Sequence, residues 1–334
     1  GELDVACDDL YFDIATQDAN VLAMNVFRAM KPGRRYWITE TGSGALDHGK
    51  PPHPEQFRAW AWSNIAHGGD AHMVFRWRTC LAGQEQELQG ILEHDGKPGH
   101  RYNAVKACFT EIARLRPALD SLPLPAAEVA IVQDYNVLWA YESARIGRDI
   151  DYLGIIYRFH RELYRRNIIC DVIPPDRDLD AYKLVVLPSL MIIGEDFASR
   201  LKKYVRNGGV VLAIGQIGMR DPNDNYLPTP GPQHLQSLLG VTVDGGMYLH
   251  SCVGPDEALW IPQARRRHVE VPVAGTLGTQ PVTGSAGVWI ADMTIAGGDT
   301  LLQYTADDYK GQPAAVYKQS GRGHAFYIGA VSLS

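Results

Sequence analysis

The sequence predicts an α/β protein made of two parallel-sheet units followed by a β-rich tail. Three observations carry this. Short apolar runs alternate with helix-length stretches, a proline-rich segment interrupts the alternation, and beyond about Gly240 the helices give way to closely spaced strand candidates. A chain of 334 residues also exceeds what one core usually supports.

In the first unit, Val5 to Phe12, Tyr36 to Thr39 and His72 to Trp77 read as strands buried on both faces, because they lack polar alternation. Helix-like stretches separate them at about Asp18 to Met30 and Pro54 to Ala66. The second has Pro in its first turn and a Gly pair just past its end. After the long loop Arg78 to His100, a third helix is expected over about Arg101 to Leu115. Repeated β-α units of this kind imply a parallel sheet or part of a barrel.

The stretch RPALDSLPLPAA, Arg116 to Ala127, holds three prolines and no periodicity, so the boundary is placed there: a first domain over 1–116, a linker over 117–127 and a second domain over 128–334. In that second domain strands are expected at Glu128 to Gln133, Ile168 to Val172, Lys183 to Pro188 and Gly209 to Gly215. Helices fall near Asp151 to Arg166 and Glu195 to Asn207, the order of an open doubly wound, flavodoxin-like sheet. The tail offers strands at His268 to Val273, Val288 to Ile295, Thr300 to Tyr304, Ala314 to Tyr317 and His324 to Ile328. These suggest an antiparallel layer packed onto the sheet, or the start of a further domain.

A formal net charge of -6 leaves no basic stripe for a polyanion, so nucleic acid is not an expected partner. The five cysteines are dispersed and contain no C-x-x-C pair, which argues against a disulfide framework or a structural zinc. No apolar run approaches the roughly 18 residues of a membrane span, and GELDVACDDL lacks the basic start and apolar centre of a signal peptide. The expectation is a cytoplasmic protein without membrane contact, metal or other cofactor.

Chemistry is sought at the carboxyl ends of the strands, where loops vary while strands hold position. The stretch Tyr36-Trp37-Ile38-Thr39-Glu40-Thr41-Gly42 delivers one carboxylate to such an end, with Gly42, Ser43 and Gly44 giving space and backbone donors. Glu40 is either a catalytic group or a structural one, capping the next helix or pairing with Arg34 or Arg35. Downstream, Trp60 and Trp62 fall on a helix, while Phe75, Arg76, Trp77 and Arg78 close the next strand. Aromatic rings beside a carboxylate suit a sugar, offering flat faces to its C–H groups and fixed polar groups to its hydroxyls. Core packing is the simpler role for Trp60 and Trp62.

These residues, with LAGQEQELQGILEHDGKPGHRYNAVK, resemble glycoside hydrolase family 42, the β-galactosidases, over roughly Asp4 to Leu115. The motifs stand in that family's order and spacing: a Glu ending the seventh barrel strand, a Gly loop, a Pro-rich segment, a Trp-rich helix, F-R-W-R and the E-Q stretch. The resemblance implies the C-terminal part of a (β/α)8 TIM barrel, strands six to eight, and a retaining enzyme that cleaves terminal β-D-galactosides through a covalent glycosyl-enzyme. It makes Glu40 the nucleophile, Glu85 a ligand of substrate hydroxyls, and Phe75 and Trp77 lining residues. Two departures bear on sugar specificity: Leu88 where the family often has His, and Asp47 and His48 where it usually has Trp. From Glu128 to about Met247 the pattern is similar to the family's trimerisation domain, implying a homotrimer.

A retaining glycosidase needs a second carboxylate about 5–5.5 Å from the first. In the family that acid/base Glu follows an Asn at the end of the fourth strand, and this sequence starts at what looks like the sixth. The expectation is that the chain alone is inactive and needs an N-terminal barrel segment to complete the site.

Other chemistries have weaker support. Class I amidotransferases share the second unit's layout, but the turn where their Cys would stand carries Gln216, and Cys170 lies inside an apolar strand. There is no G-x-G-x-x-G after the unit's first strand and no Walker sequence. Asp221, Asp224 and Asn225 read as a solvated turn, and His94, His100 and His160 have no i, i+4 His partner. A reading from another class remains: a non-catalytic assembly module with an inert barrel remnant.

Overall fold

The computed structural model describes residues 3–11, 17–44, 52–143, 150–251 and 267–331. The chain divides into two compact units, one of residues 1–127 with 160–172, the other of residues 128–159 with 173–334.

The first unit is a three-stranded parallel sheet in chain order, β1 (Cys7–Asp9), β2 (Tyr36–Glu40) and β3 (Gly69–His72). Its helices are α1 (Gln17–Met30), α2 (Pro54–Ala66) and α3 (His100–Asp120). Strand burial differs from the two-sided expectation. Tyr36 and Ile38 join Ala6, Met24 and Phe27 in one apolar cluster, whereas Trp37, pointing the other way, is 37% exposed, and β1 is exposed throughout. Burying side chains of this size stabilises by about 1.5–3 kcal/mol each, and here that gain is confined to one face of the sheet.

β3 also starts and ends earlier than its apolar run suggests. Gly69 is admitted because Asn64 lies against it: a Cβ there would sit 1.9 Å from Asn64 Oδ1. The same Asn64 donates from Nδ2 to Ala71 O at 2.9 Å. Past His72 the ladder continues through Met73 N, which donates to Ile38 O at 3.0 Å, and an isolated parallel bridge between Gly42 and Phe75.

α2 has the expected limits because both ends are specified. His53 caps its start, accepting from Glu55 N, while Gln56 Oε1 accepts from His53 N at 2.7 Å, and Gly68 leaves the helix at φ +99°. Phe57 and Ala61 of α2 pack with Val105 and Cys108 of α3 and with Ile91 from the intervening loop. α3 runs five residues beyond Leu115 and passes through Pro117, so the irregular stretch is shorter than 116–127. Proline costs one hydrogen bond in this last turn; Arg116 spans it, pairing with Asp120 four residues on and with Asp70, both at 2.6 Å.

The second sheet has twelve strands. β4 (Val129–Val132), β6 (Leu184–Pro188), β7 (Val210–Ile214) and β14 (Gly323–Ile328) are neighbours in that order and mutually parallel; β5 (Cys170–Ile173) lies beyond β4. Helices α4 (Tyr135–Ser143), α5 (Tyr152–Arg165) and α6 (Glu195–Arg206) intervene in the chain. α6 buries Phe197, Ala198, Leu201, Tyr204 and Val205, an i, i+3, i+4 stripe.

The tail is neither a layer nor a new domain. β14 pairs with β7 over five residues, and the sheet then continues through β13 (Pro313–Ser320), β12 (Asp299–Tyr304), β10 (Val271–Leu277), β11 (Gln280–Ile295), β8 (Val241–Ser251) and β9 (Arg267–His268). A last strand, β15 (Ala330–Val331), pairs with β11. The physical reason is the free edge of β7: its buried Val211 and Ala213 need a covered strand beside them, and β14 supplies it. The short helix α7 (Gln236–Leu239) ends at Gly240, φ +73°, where the chain turns into β8.

Candidate functional site

Glu40 is the last residue of β2, at the carboxyl end of the central strand of the first sheet. β1 follows β2 to that point with one register shift after Asp8: Asp9 pairs with Glu40, and Leu10 N donates to Glu40 O at 2.9 Å. That pairing brings Tyr11 alongside, and its hydroxyl donates to Glu40 Oε1. Burial, the hydrogen bond to Glu40 and the charges of Glu40, Asp9 and Glu85 all push the Tyr11 phenol well above its ordinary pKa. Tyr11 therefore keeps its proton across the neutral range and remains a donor to the carboxylate. Asp9, exposed at the same strand end, accepts from Thr39 Oγ1 at 3.2 Å.

Neither structural role for Glu40 is met. Arg34 donates to Asp4 O and Arg35 to Leu122 O, and the next helix is capped by His53. The residues after Glu40 are also not open space. Thr41, Gly42, Ser43 and Gly44 are buried, and a Cβ on Gly44 would lie 2.5 Å from Gln89 Cβ and 2.8 Å from Arg101 Cδ. Gly44 allows close packing here rather than room for a ligand.

The segment after β3 is fixed beside this end. Phe75 N donates to Thr41 O at 2.8 Å, so Phe75 stands half-buried next to the strand that carries Glu40. The Arg76 guanidinium lies 4.1 Å over the Phe75 ring and forms an ion pair with Glu85. Trp77 is 63% exposed and meets Tyr102 edge-on at 6.3 Å.

The long loop over 78–100 is an ordered return. Ile91 N donates to Arg76 O at 2.7 Å and Leu92 N to Trp77 O at 2.8 Å. Gly90 is required at this crossing, since a Cβ would be 2.6 Å from Arg76 O. Buried Arg101 donates to Gly90 O at 2.9 Å and to Gln89 Oε1 at 3.2 Å, and is ion-paired with Glu93; His94 Nε2 lies 2.8 Å from Gln86 O.

The structure thus gathers Glu40, Phe75 and Glu85 with Arg76, which the sequence places at the end of the next strand without a role, and with Asp9 and Tyr11, which the sequence reading passed over. A signal for Tyr11 and Asp9 existed: they end the apolar run before the Glu40 strand, and parallel pairing brings such ends together. Trp60 is core, and Trp62 donates to Glu111 at 3.3 Å. Leu88 is half-buried in the loop. Asp47 and His48 lie outside the described residues.

The second unit presents no comparable arrangement among the described residues. Gln216, at the turn where an amidotransferase nucleophile would stand, is buried between Tyr141, whose hydroxyl is 3.4 Å from its Oε1, and Tyr248, to which it donates at 3.1 Å. Burial pushes the Cys170 thiol up to about 12, so it carries no thiolate at neutral pH. Asp221 accepts from Asn223 N, Asn225 N and Asn225 Nδ2, which closes a turn within the loop. Among the described residues no three His, Cys, Asp or Glu side chains group as metal ligands, and no helix is long and apolar enough to cross a membrane.

Comparison with known proteins bears on both units. A family model described as Beta-galactosidase trimerisation domain matches residues 127–333, and one described as Beta-galactosidase matches residues 1–115. The chain is 38% identical over 216 residues to Beta-galactosidase Bga of Halorubrum lacusprofundi, covering 63% of this chain and 30% of that protein. It is 27% identical over 314 residues to Beta-galactosidase BgaB of a Geobacillus species, covering 91% and 43%. The crystal structure of beta-galactosidase from Bacillus circulans sp. alkalophilus superposes with a TM-score of 0.87 at 23% identity, over 98% of this chain and 47% of that one. The Halorubrum lacusprofundi enzyme superposes at 0.78 with 30% identity, over 94% and 44%. The chain therefore spans less than half the length of each of these relatives.

Proposed function

The chain belongs to glycoside hydrolase family 42, with the fold of the C-terminal part of the family's TIM barrel followed by its trimerisation domain, and on that premise we propose that it forms part of a retaining β-galactosidase. Glu40 is the nucleophile. The observation that carries this is the Glu40 carboxylate at the end of β2 with the Tyr11 hydroxyl, which keeps its proton across the neutral range, donating to Oε1. Among the described residues Oε2 has no protein donor, and it is the atom that attacks the anomeric carbon of a terminal β-D-galactoside.

The chemistry follows from the pairing. The hydrogen bond from Tyr11 orients the carboxylate and, once Oε2 has become the ester oxygen of the glycosyl-enzyme, stays on the carbonyl oxygen. Glu85 accepts from sugar hydroxyls, while the rings of Phe75 and Trp77 face the apolar edge of the sugar. The acid/base carboxylate comes from strands preceding β1 in a longer polypeptide, so the 334-residue chain is inactive alone. The family model that matches residues 127–333 supports a homotrimer, and the dispersed cysteines, free where described, suit a reducing, cytoplasmic compartment.

The test is Glu40→Gln in a protein that also carries the preceding strands. Hydrolysis of a nitrophenyl β-galactoside falls to background while the folded trimer, measured by light scattering, is kept. Turnover by Glu40→Gln contradicts the assignment, and nitrophenol release by the isolated chain contradicts the requirement for the additional strands.

A further inference from the structure

We propose that Arg76 is the positioning residue for Glu85, holding that carboxylate in the orientation in which it meets the sugar. The inference rests on the galactosidase reading and gives a role to Arg76, which that reading places in the F-R-W-R stretch without a function.

Glu85 stands in a surface loop, with its side chain 57% exposed, and a carboxylate there ordinarily samples several rotamers. Arg76 removes that freedom. Its own position is fixed three ways: Phe75 N is tied to Thr41 O, the Arg76 carbonyl receives Ile91 N, and the guanidinium rests 4.1 Å over the Phe75 ring. Only 23% of the Arg76 side chain is exposed. A rigid cation thus reaches out from beneath the loop and takes one oxygen, Oε2, of a mobile anion.

Two features argue for orientation rather than stability. An ion pair this exposed contributes little to folding, and among the described residues Glu85 is the only carboxylate paired with Arg76. The loop is already anchored beyond Glu85 by Gly90, Arg101 and His94. The pair also lies within electrostatic reach of the nucleophile's partner, since Glu85 contributes to the rise in the Tyr11 pKa. Arg76 therefore offsets one negative charge in a site that also holds Asp9 and Glu40.

The experiment compares Arg76→Gln, Glu85→Gln and the double variant in the protein carrying the complete barrel, with nitrophenyl β-galactoside as probe. The expected result is that each single change raises KM about tenfold with kcat changed by less than about threefold. The double variant is no worse than Glu85→Gln alone, and Arg76→Lys restores part of the loss. An unchanged KM in Arg76→Gln, or single effects that multiply in the double variant, overturns the proposal. If Arg76→Gln does not fold, Arg76→Lys decides: a KM equal to that of the parent or as poor as that of Glu85→Gln overturns it, and an intermediate KM supports it. Parent protein and Glu40→Gln run alongside separate the two failures, because an inactive parent refutes the galactosidase reading itself.

Discussion

Arg28 and Arg76 belong to the same unit and each forms an ion pair, yet their surroundings differ in almost every respect. Arg28 is 7% exposed and donates to Asp171 Oδ1 through Nε and Nη2, at 2.9 and 2.7 Å, and to Cys170 O at 2.8 Å. Around it lie His67, whose carbonyl it also approaches, and His160, whose Nε2 receives Asn25 Nδ2 at 2.8 Å. Arg76, 23% exposed, lies over the Phe75 ring, and its partner Glu85 is 57% exposed in the loop. The strongest perturbations of histidine ionisation fall in the first unit's interior: burial, reinforced by the Arg28 charge, pushes His67 and His160 down to about 4. Perturbed histidine ionisation is therefore a poor guide to the candidate site in this molecule, where the strongly shifted group is Tyr11. What marks the site is accessibility at a strand end combined with convergent polar groups.

The largest difference is expected on truncating the two arginines. Arg28→Ala takes both guanidinium donors from the Asp171 carboxylate, whose side chain is only 15% exposed, and costs about 3–5 kcal/mol, whereas Arg76→Ala costs less than about 1 kcal/mol. Thermal denaturation of the two variants reads this directly, and equal losses break the comparison.

Acid provides the second test. His67 and His160 have folded pKa values of about 4 against 6.5 unfolded, so the unfolded chain takes up protons that the folded chain refuses. Stability contributed by the neutral rings is complete above pH 6.5 and is lost as pH falls from 6.5 towards 4, by up to about 3 kcal/mol for each histidine. His72, among Phe57 and Phe109 and also lowered to about 4 by burial, acts in the same direction. Urea midpoints at a series of pH values should decline across that window, and His160→Gln should make the decline shallower. An identical slope removes His160 from the account.

Gly90→Ala is intermediate. The added methyl meets Arg76 O at 2.6 Å and Thr79 N at 2.9 Å, so the loop must shift, at about 1–3 kcal/mol. Denaturation midpoints measure that cost, and a variant as stable as the parent shows that the crossing is looser than the distances require. The smallest stability effect is expected from Glu40→Gln, within about 0.5 kcal/mol. Its signature is electrostatic instead: with the carboxylate gone, Tyr11 ionises at a lower pH, though burial still holds it above an ordinary tyrosine. Ultraviolet titration of tyrosinate compares the two proteins.

Element type was readable wherever periodicity was strong: α2 and α6 were expected at nearly their observed limits, and Glu40 at the end of its strand. The misreadings have local causes. β8 contains Gly245-Gly246, which looks like a breaker in sequence, but Gly246 lies under Trp289, where a Cβ would come 2.2 Å from the ring. Pro117 looked like a helix stop and is carried inside the last turn of α3. α4 was missed because its nine residues, YNVLWAYES, are apolar on most sides and end at a polar stretch. Of the candidate site residues, Glu40, Phe75, Trp77 and Glu85 were named from motif spacing, and the structure brings Glu40, Phe75 and Glu85 together. Tyr11 was not named and Arg76 was given no role, because their significance depends on which strand ends pair and which loop folds back.

The central claim is that Glu40 forms the covalent intermediate, and trapping tests it most directly. In a protein carrying the complete barrel, a 2-deoxy-2-fluoro-β-galactosyl fluoride should glycosylate one residue faster than water releases it. Peptide mass spectrometry is expected to find a single fluorogalactosyl ester on Glu40 and none in Glu40→Gln. An ester on any other carboxylate, or undiminished trapping in Glu40→Gln, contradicts the account.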